Sequence, residues 1–246
     1  MSVAEDAEFL AEWLDFGLFH RGRAAMTAAD AYRAAKTPEV QASLTLEAMH
    51  QYALAVDDVA TWADACRLWE RSGGPLSARL EEAEAGQSWE MLRSLKRGSP
   101  DRTRKAFGLP RFSAPQIADR KGYRDMMAEW AELAALVARI AGARTPDDSA
   151  WLVARLDNKV KHGVHARLVD TAVSVYGLQS QPVSLDSVRH FAKQTCLVSE
   201  FLGGLLQIFA VVRLGSTSKP KWYDPLVAAD DPGDFDTLRT LVMEGR

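Results

Sequence analysis

The stretch TPEVQASLTLEAMHQYALAVDDVATWADACRLWERSGGP, residues 37–75, decides the fold class. Thr37 is a favourable cap, Pro38 suits the first helical position, and Glu39 complements the positive end of the helix dipole. Apolar residues then recur at helical spacing as far as Cys66, and no breaker occurs before the glycine pair. The stretch therefore predicts one helix that is roughly 50 Å long at about 1.5 Å per residue.

Patterns on both sides of this stretch predict further helices. Ser2 and Glu5 form a capping box, which starts a helix that is expected to end at Gly22. A short second helix is expected from Thr27 to Lys36. Further apolar runs predict helices over residues 123–142, 148–163 and 185–214.

Only one short segment alternates with a period of two. Val169, Thr171, Val173 and Val175 alternate with other residue types, which favours a short β-hairpin near residues 164–178. The sequence therefore predicts an all-α helical bundle with this one β element. Residues 1–214 are expected to form a single helical domain, and residues 215–246 a polar C-terminal extension rich in Asp, Pro and Gly.

The composition is that of an ordinary soluble globular protein and excludes the disordered and fibrous classes. Of the 246 residues, 47% are hydrophobic and 26% are charged. The N-terminus lacks a secretory signal, and the two cysteines lie in apolar helical patterns, so we expect a cytoplasmic protein without a disulfide. Glu200 and the pair Gly203 and Gly204 interrupt the apolar run near the C-terminus, so we expect a buried central helix and no membrane contact.

Positive charge is concentrated in a predicted basic loop, residues 93–124. This window has ten basic and two acidic residues, a net charge of +8, so the rest of the chain has a net charge of −11. Aromatic residues lie between these basic residues in the sequence. Positive charge together with aromatic side chains suits binding to an RNA strand, with Arg102, Arg104 and Lys105 as the proposed contacts. The same composition also fits a surface loop that balances an acidic body and is held down by its aromatic residues: Phe107, Phe112 and Tyr123.

No motif for a metal or a cofactor is apparent in the sequence. Glu47 and His50 have the Glu-x-x-His spacing of di-iron bundles, but the chain has no second copy of that pair. The run from Gly215 to Lys219 lacks the spacing of a phosphate-binding loop. We therefore expect neither a metal nor a cofactor.

The segment RLDNKVKHG, residues 155–163, separates polar from apolar side chains on one helix. At about 100° per residue, four residues share its polar face: Trp151, Arg155, Asn158 and His162. His162 precedes Gly163, in a last turn where the helix dipole favours the imidazolium form. The cations Arg155 and His162 suit the binding of a phosphate and the transfer of a proton to a leaving oxygen. Lys159 and the amide of Asn158 lie beside them on the predicted helix.

The same segment resembles the signature of the HEPN superfamily of helical domains. In that superfamily an Arg and a His separated by four to six residues act on RNA, often across a dimer interface, and here Arg155 and His162 have six residues between them. The stretch from Asn158 to Gly163 is also similar to an Asn-Lys-x-Lys-His-Gly stretch of HEPN-like bacterial proteins. The resemblance implies a helical bundle, a homodimer and metal-independent RNA cleavage, with Arg155 and His162 as catalytic residues. Asn158 and Lys159 are expected to bind the substrate because of the phosphate-binding chemistry of this face.

Two readings of this segment remain. Members of the superfamily with the catalytic motif usually have a polar residue directly after the Arg, whereas this chain has Leu156, and HEPN relatives without nuclease activity exist. Under the first reading the chain is an RNA-binding endoribonuclease. Under the second it is a non-catalytic helical module that regulates or scaffolds a protein partner, and the charged face is only solvated or paired with Asp57 and Asp58.

Overall fold

The structure is a computed structural model that describes residues 2–85, 95, 97–115, 117, 120–141, 166–175 and 182–216. Within these residues the chain is mostly helical, which confirms the predicted all-α class. The helices of the described part are α1 Val3–Trp13, α2 Phe19–Ala34, α3 Pro38–Ser72, α4 Leu76–Ala85, α5 Pro100–Ala106, α6 Arg120–Ala141 and α7 Val188–Leu214.

Helix α3 has the length and the ends that its sequence predicts. Thr37 is extended at the N-cap, and its side-chain oxygen accepts a hydrogen bond from the backbone N–H of Val40. Gly73 ends the helix with φ +63°, a conformation that glycine adopts without steric cost. Most of the helix between these ends is buried, so α3 forms the centre of the bundle.

Helix α7 is the second central element and packs against both α2 and α3. A 3₁₀ turn, Leu185–Ser187, precedes it. Within the described residues, Leu185–Leu214 is the one helical run long and apolar enough to cross a membrane, and more than half of its apolar window is buried against the protein. Trp69 contacts Phe209 edge-on with ring centroids 5.4 Å apart, and Phe107 contacts Phe201 in the same way at 6.2 Å.

The N-terminal segment differs from its prediction. A π-helical turn, Leu14–Leu18, joins α1 directly to α2, so no helix ends at Gly22 and no separate short helix begins at Thr27. Gly22 instead lies against α7, where an added Cβ would lie 3.4 Å from the Cys196 sulfur. This glycine therefore serves close helix packing and does not end a helix.

A buried carboxylate joins the ends of three helices. Asp6 of α1 accepts a hydrogen bond of 2.8 Å from the indole nitrogen of Trp69 in α3. It also accepts one of 2.7 Å from the backbone N–H of Leu76, the first residue of α4. These bonds satisfy a carboxylate that would be costly to bury alone.

The predicted β element is confirmed. Strand β1, Ala166–Val169, pairs antiparallel with β2, Ala172–Val175, in a register that places Val169 opposite Ala172. Asp170 occupies the turn with φ +53°, a region that Asp tolerates better than most residues. A third short strand, β3 Val183–Ser184, pairs with β2, and the sequence analysis did not predict it.

Candidate nucleic-acid interface

The basic segment is more ordered than the predicted loop. Residues 100–106 form helix α5, capped by the Ser99 hydroxyl, which accepts a hydrogen bond from the backbone N–H of Arg102. Pro100 suits the first turn because a proline there loses no helical hydrogen bond. The expectation of a loop over residues 93–124 is therefore wrong for residues 100–106, and α5 fixes the backbone positions of Arg102, Arg104 and Lys105.

The chain that leaves α5 lies directly against the central helix α3. Gly108 has φ +58°, and a Cβ there would lie 2.5 Å from the carbonyl oxygen of Cys66. Only glycine allows this approach, because a side chain would collide with the backbone of α3. The backbone N–H of Leu109 donates to the carbonyl of Arg104 at 2.8 Å and fixes the turn.

Arg104 is a buried structural residue, with 6% of its surface exposed. Its Nε donates to a carboxylate oxygen of Asp101 at 2.9 Å, and its Nη1 donates to the carbonyl of Leu109 at 3.3 Å. The hydrogen bond from Arg104 lowers the pKa of Asp101 below its ordinary value. Arg104 therefore anchors the turn and does not stand on the outer surface, where the sequence analysis placed an RNA contact.

Arg213 enters the same region from the last turn of α7. Its Nε donates to the carbonyl of Gly108 at 2.7 Å, and its Nη2 lies 3.3 Å from a carboxylate oxygen of Glu70. An arginine has five N–H donors, so three donors of Arg213 remain after these two bonds within the described residues. This residue was not predicted from the sequence, although its signal was a single cation at the C-terminal end of a long apolar helix.

These side chains line an open cleft of about 530 Å³, which we call the basic cleft. Its charged lining residues are Arg104, Lys105, Arg111, Arg213 and Glu70. Four cations face one carboxylate, and that carboxylate is paired with Arg213. Lys105 has 68% of its side chain exposed and lies 3.4 Å from Asp101, and Arg111 is also exposed. The cleft therefore combines two anchored guanidinium groups with two cations at its rim.

Two of the three aromatic residues of the segment are not available as stacking platforms. Phe107 is completely buried, and Tyr123 is buried with its hydroxyl donating to the carbonyl of Pro110 at 3.1 Å. Burial raises the pKa of Tyr123 to about 12. Phe112 is half-buried, with the guanidinium carbons of Arg104 and Arg124 at 5.6 and 5.5 Å from its ring centroid. These rings hold the segment in place, as expected for a surface loop that is held down by its aromatic residues.

The predicted catalytic segment lies outside the described residues. Arg155, Asn158, Lys159 and His162 all belong to that part of the chain, and so does Trp151. Of the acidic residues suggested as partners for this segment, Asp58 is paired with Arg21, whose Nε lies 3.0 Å from its carboxylate.

Neither cysteine forms a disulfide in the structure. Burial raises the pKa of the Cys66 thiol above its ordinary value and that of Cys196 to about 12. Among the described residues there is no group of three or more His, Cys, Asp or Glu side chains placed to hold a metal ion.

Comparison of the chain with known protein families, curated proteins and solved structures found no match.

Proposed function

We propose that this protein binds RNA and that the basic cleft contacts the phosphates of the strand. The observation that carries the proposal is the positive charge of the cleft, whose four cations outnumber the two carboxylates paired with them, Glu70 and Asp101. The anchored guanidinium of Arg213 suits phosphate because it keeps N–H donors beyond those that it gives to Gly108 and Glu70, and because it loses little conformational freedom on binding. Lys105 and Arg111 add mobile charge at the rim, which attracts a polyanion from a distance.

Exposed cations of the same segment extend this surface beyond the cleft. Helix α6 packs against α5 and begins with Arg120 and Lys121, which are exposed together with Arg102 and Arg124. A strand bound in the cleft is therefore expected to meet further positive charge on both neighbouring helices. The buried rings of the segment offer no stacking face, so binding is expected to depend on phosphates and to be insensitive to base sequence.

The test is the salt dependence of binding to a labelled single-stranded RNA, measured by fluorescence anisotropy. Each phosphate contact contributes about −0.7 to the slope of log affinity against log salt. The double variant Lys105→Ala, Arg111→Ala is expected to weaken binding and to reduce the slope by about 1.4. Arg104 is left intact because its loss would release the turn at Leu109.

A matched control removes the same charge elsewhere. Lys36 and Arg189 are exposed and lie outside the cleft. The variant Lys36→Ala, Arg189→Ala is expected to keep the slope of the unmodified protein. Equal losses in the two double variants would show that only net charge matters and would reject the cleft as the binding site.

We further propose metal-independent RNA cleavage, on the basis of the resemblance of residues 155–163 to the HEPN signature. The 2′-hydroxyl attacks the adjacent phosphate and releases its proton to water, and the bond to the 5′-oxygen breaks to leave a cyclic phosphate. Arg155 stabilises the charge that develops on the phosphate, and His162 donates a proton to the leaving oxygen. Asn158 and Lys159 hold the strand beside them.

The cleavage test uses single-stranded RNA in the presence of a chelator, with DNA of the same sequence as a control that lacks the 2′-hydroxyl. His162→Ala is expected to slow cleavage by about 10² to 10⁴ while RNA binding persists. Binding without cleavage in the unmodified protein would leave RNA binding in place and reject the nuclease. The absence of both would favour a helical module that binds a protein partner.

A further inference from the structure

A second cleft, of about 400 Å³, is lined by the π-helical turn and its flanks, by α3 and by α4. We call it the aromatic cleft. Three aromatic residues contribute to its lining: Trp13, Phe16 and Trp62. Three carboxylates also line it: Asp57, Asp58 and Glu84. None of these residues belongs to the basic cleft, and the two clefts have opposite charge.

The aromatic walls are held in place by the π-helical turn. The ring of Trp13 lies 4.5 Å from that of the buried Trp62, measured between centroids. An added Cβ at Gly17 would lie 2.9 Å from the Trp13 indole, so glycine is required where this ring crosses the backbone. Phe16 is 73% exposed and stacks on His20 at 5.8 Å with an interplanar angle of 14°. A large exposed ring at the entrance of a cleft is unusual for a residue whose only role is packing.

The lining has a negative charge even though one ion pair lies inside it. Arg21 and Asp58 neutralise each other, with Nε donating at 3.0 Å and Nη2 at 3.5 Å to the two carboxylate oxygens. Glu84, which is exposed, supplies a further negative charge to the lining. An anion such as a phosphate would be repelled by this lining, whereas a cation would be attracted.

We propose that the aromatic cleft binds a small organic cation, a protonated or quaternary amine. The faces of Trp and Phe rings attract such a cation, and nearby carboxylates add a charge that the rings alone do not have. The volume suits a small molecule more than a metal ion, and it lies near the lower end of the range for small-molecule pockets. The proposal is independent of RNA binding, because it uses different residues and the opposite charge.

The test is a titration of the full chain with choline, with sodium chloride added to keep the ionic strength constant. Binding is followed by isothermal titration calorimetry and by magnetisation transfer from the protein to the methyl protons of the probe. The neutral compound 3,3-dimethylbutan-1-ol has nearly the same shape as choline and lacks its charge. Choline is expected to bind, and the neutral compound is expected to bind at least tenfold more weakly.

Two exposed positions allow the cleft to be changed without disturbing the core. Phe16→Ala is expected to weaken choline binding by about two- to fivefold, the usual effect of an exposed cation–π contact. Glu84→Gln is expected to weaken it by a similar factor because it removes one carboxylate. The matched controls are Met26→Ala and Glu81→Gln, which change exposed residues outside the cleft and are expected to leave binding unchanged.

Three results would overturn the proposal. The first is the absence of choline binding at millimolar concentrations. The second is equal binding of choline and its neutral counterpart, which would show that the site does not recognise charge. The third is binding that Phe16→Ala and Glu84→Gln weaken no more than the two control variants do, which would place the cation elsewhere.

Discussion

Replacement of Glu200 gives a direct test of how α7 is packed. Glu200 is the only charged residue between Cys196 and Val212. Burial raises its pKa to about 7 from an ordinary value of 4.5. Folding therefore favours the protonated carboxyl, and the folded protein binds this proton more tightly than the unfolded chain does.

The sign of the pH dependence follows from this difference. Below about pH 4.5 the carboxyl is protonated in both states and the protein loses no stability through it. As the pH rises towards about 7, only the unfolded chain ionises readily, so the free energy of unfolding falls. The difference between the two pKa values lowers the free energy of unfolding by about 3 kcal/mol in total. About 2.5 kcal/mol of this decrease occurs between about pH 5 and pH 8.

The assay is urea unfolding of the unmodified protein and of Glu200→Gln at about pH 5 and at about pH 8. Glutamine has the same shape and does not ionise, so the stability of the variant relative to the unmodified protein is expected to rise by about 2.5 kcal/mol from about pH 5 to pH 8. Other titrating groups act in both proteins and cancel in the difference. Glu129→Gln, at an exposed position of α6, is expected to show no such rise. An equal stability difference for Glu200→Gln at both pH values would refute the burial of this carboxylate.

Three further predictions concern packing, thiol chemistry and assembly. Gly204→Ala is expected to lower the free energy of unfolding by about 1–3 kcal/mol in urea, because an added Cβ would overlap the Trp130 ring. Burial raises the pKa of both Cys66 and Cys196, so neither thiol is expected to react with iodoacetamide near pH 8 until the protein unfolds. Mass spectrometry that shows rapid modification of the folded protein would contradict this prediction. The homodimer that the HEPN resemblance implies is expected to sediment at twice 27.1 kDa, and a monomer at every concentration would exclude it.

The sequence predicts those parts of the fold that depend on neighbouring residues. The start of α3 is determined by Thr37 and Pro38, and its end by Gly73, and each of these residues acts on the turn beside it. The hairpin is equally local, because its strands are joined by a turn at Asp170 and Thr171. Residues far apart in sequence are not required for either feature.

The errors arise where tertiary contacts override a local signal. Gly22 resembles a helix end in the sequence, but its small size is used for the approach of α7 near Cys196. The apolar pattern also does not predict the π-helical turn that precedes Gly22. In that turn Gly17 leaves room for the Trp13 ring, and the pattern does not show this contact. The spacing of residue types along the chain does not give these distances between packed atoms.

The basic cleft shows the same limit for a functional surface. Arg104 and Lys105 are neighbours in sequence and were expected to have the same role, but about 100° of helical rotation separates them. Arg104 is directed towards Leu109 and is buried, whereas Lys105 is exposed. The sequence predicts the charge of the segment, while the packing of the turn on α3 determines which charges reach a ligand.

The burial of the aromatic residues leads to a prediction that separates binding from cleavage. Because Phe107 and Tyr123 are buried and Phe112 lies near two guanidinium groups, a strand in the basic cleft is expected to be held through its phosphates. Phosphates are common to RNA and DNA, so unlabelled single-stranded DNA is expected to displace labelled RNA with an affinity within about threefold of that of RNA. The proposed chemistry requires the 2′-hydroxyl, so the same DNA would inhibit RNA cleavage without being cut. Strong discrimination between the two strands in binding, or a marked preference for one base sequence, would instead require a base-reading or 2′-hydroxyl contact that the basic cleft does not offer.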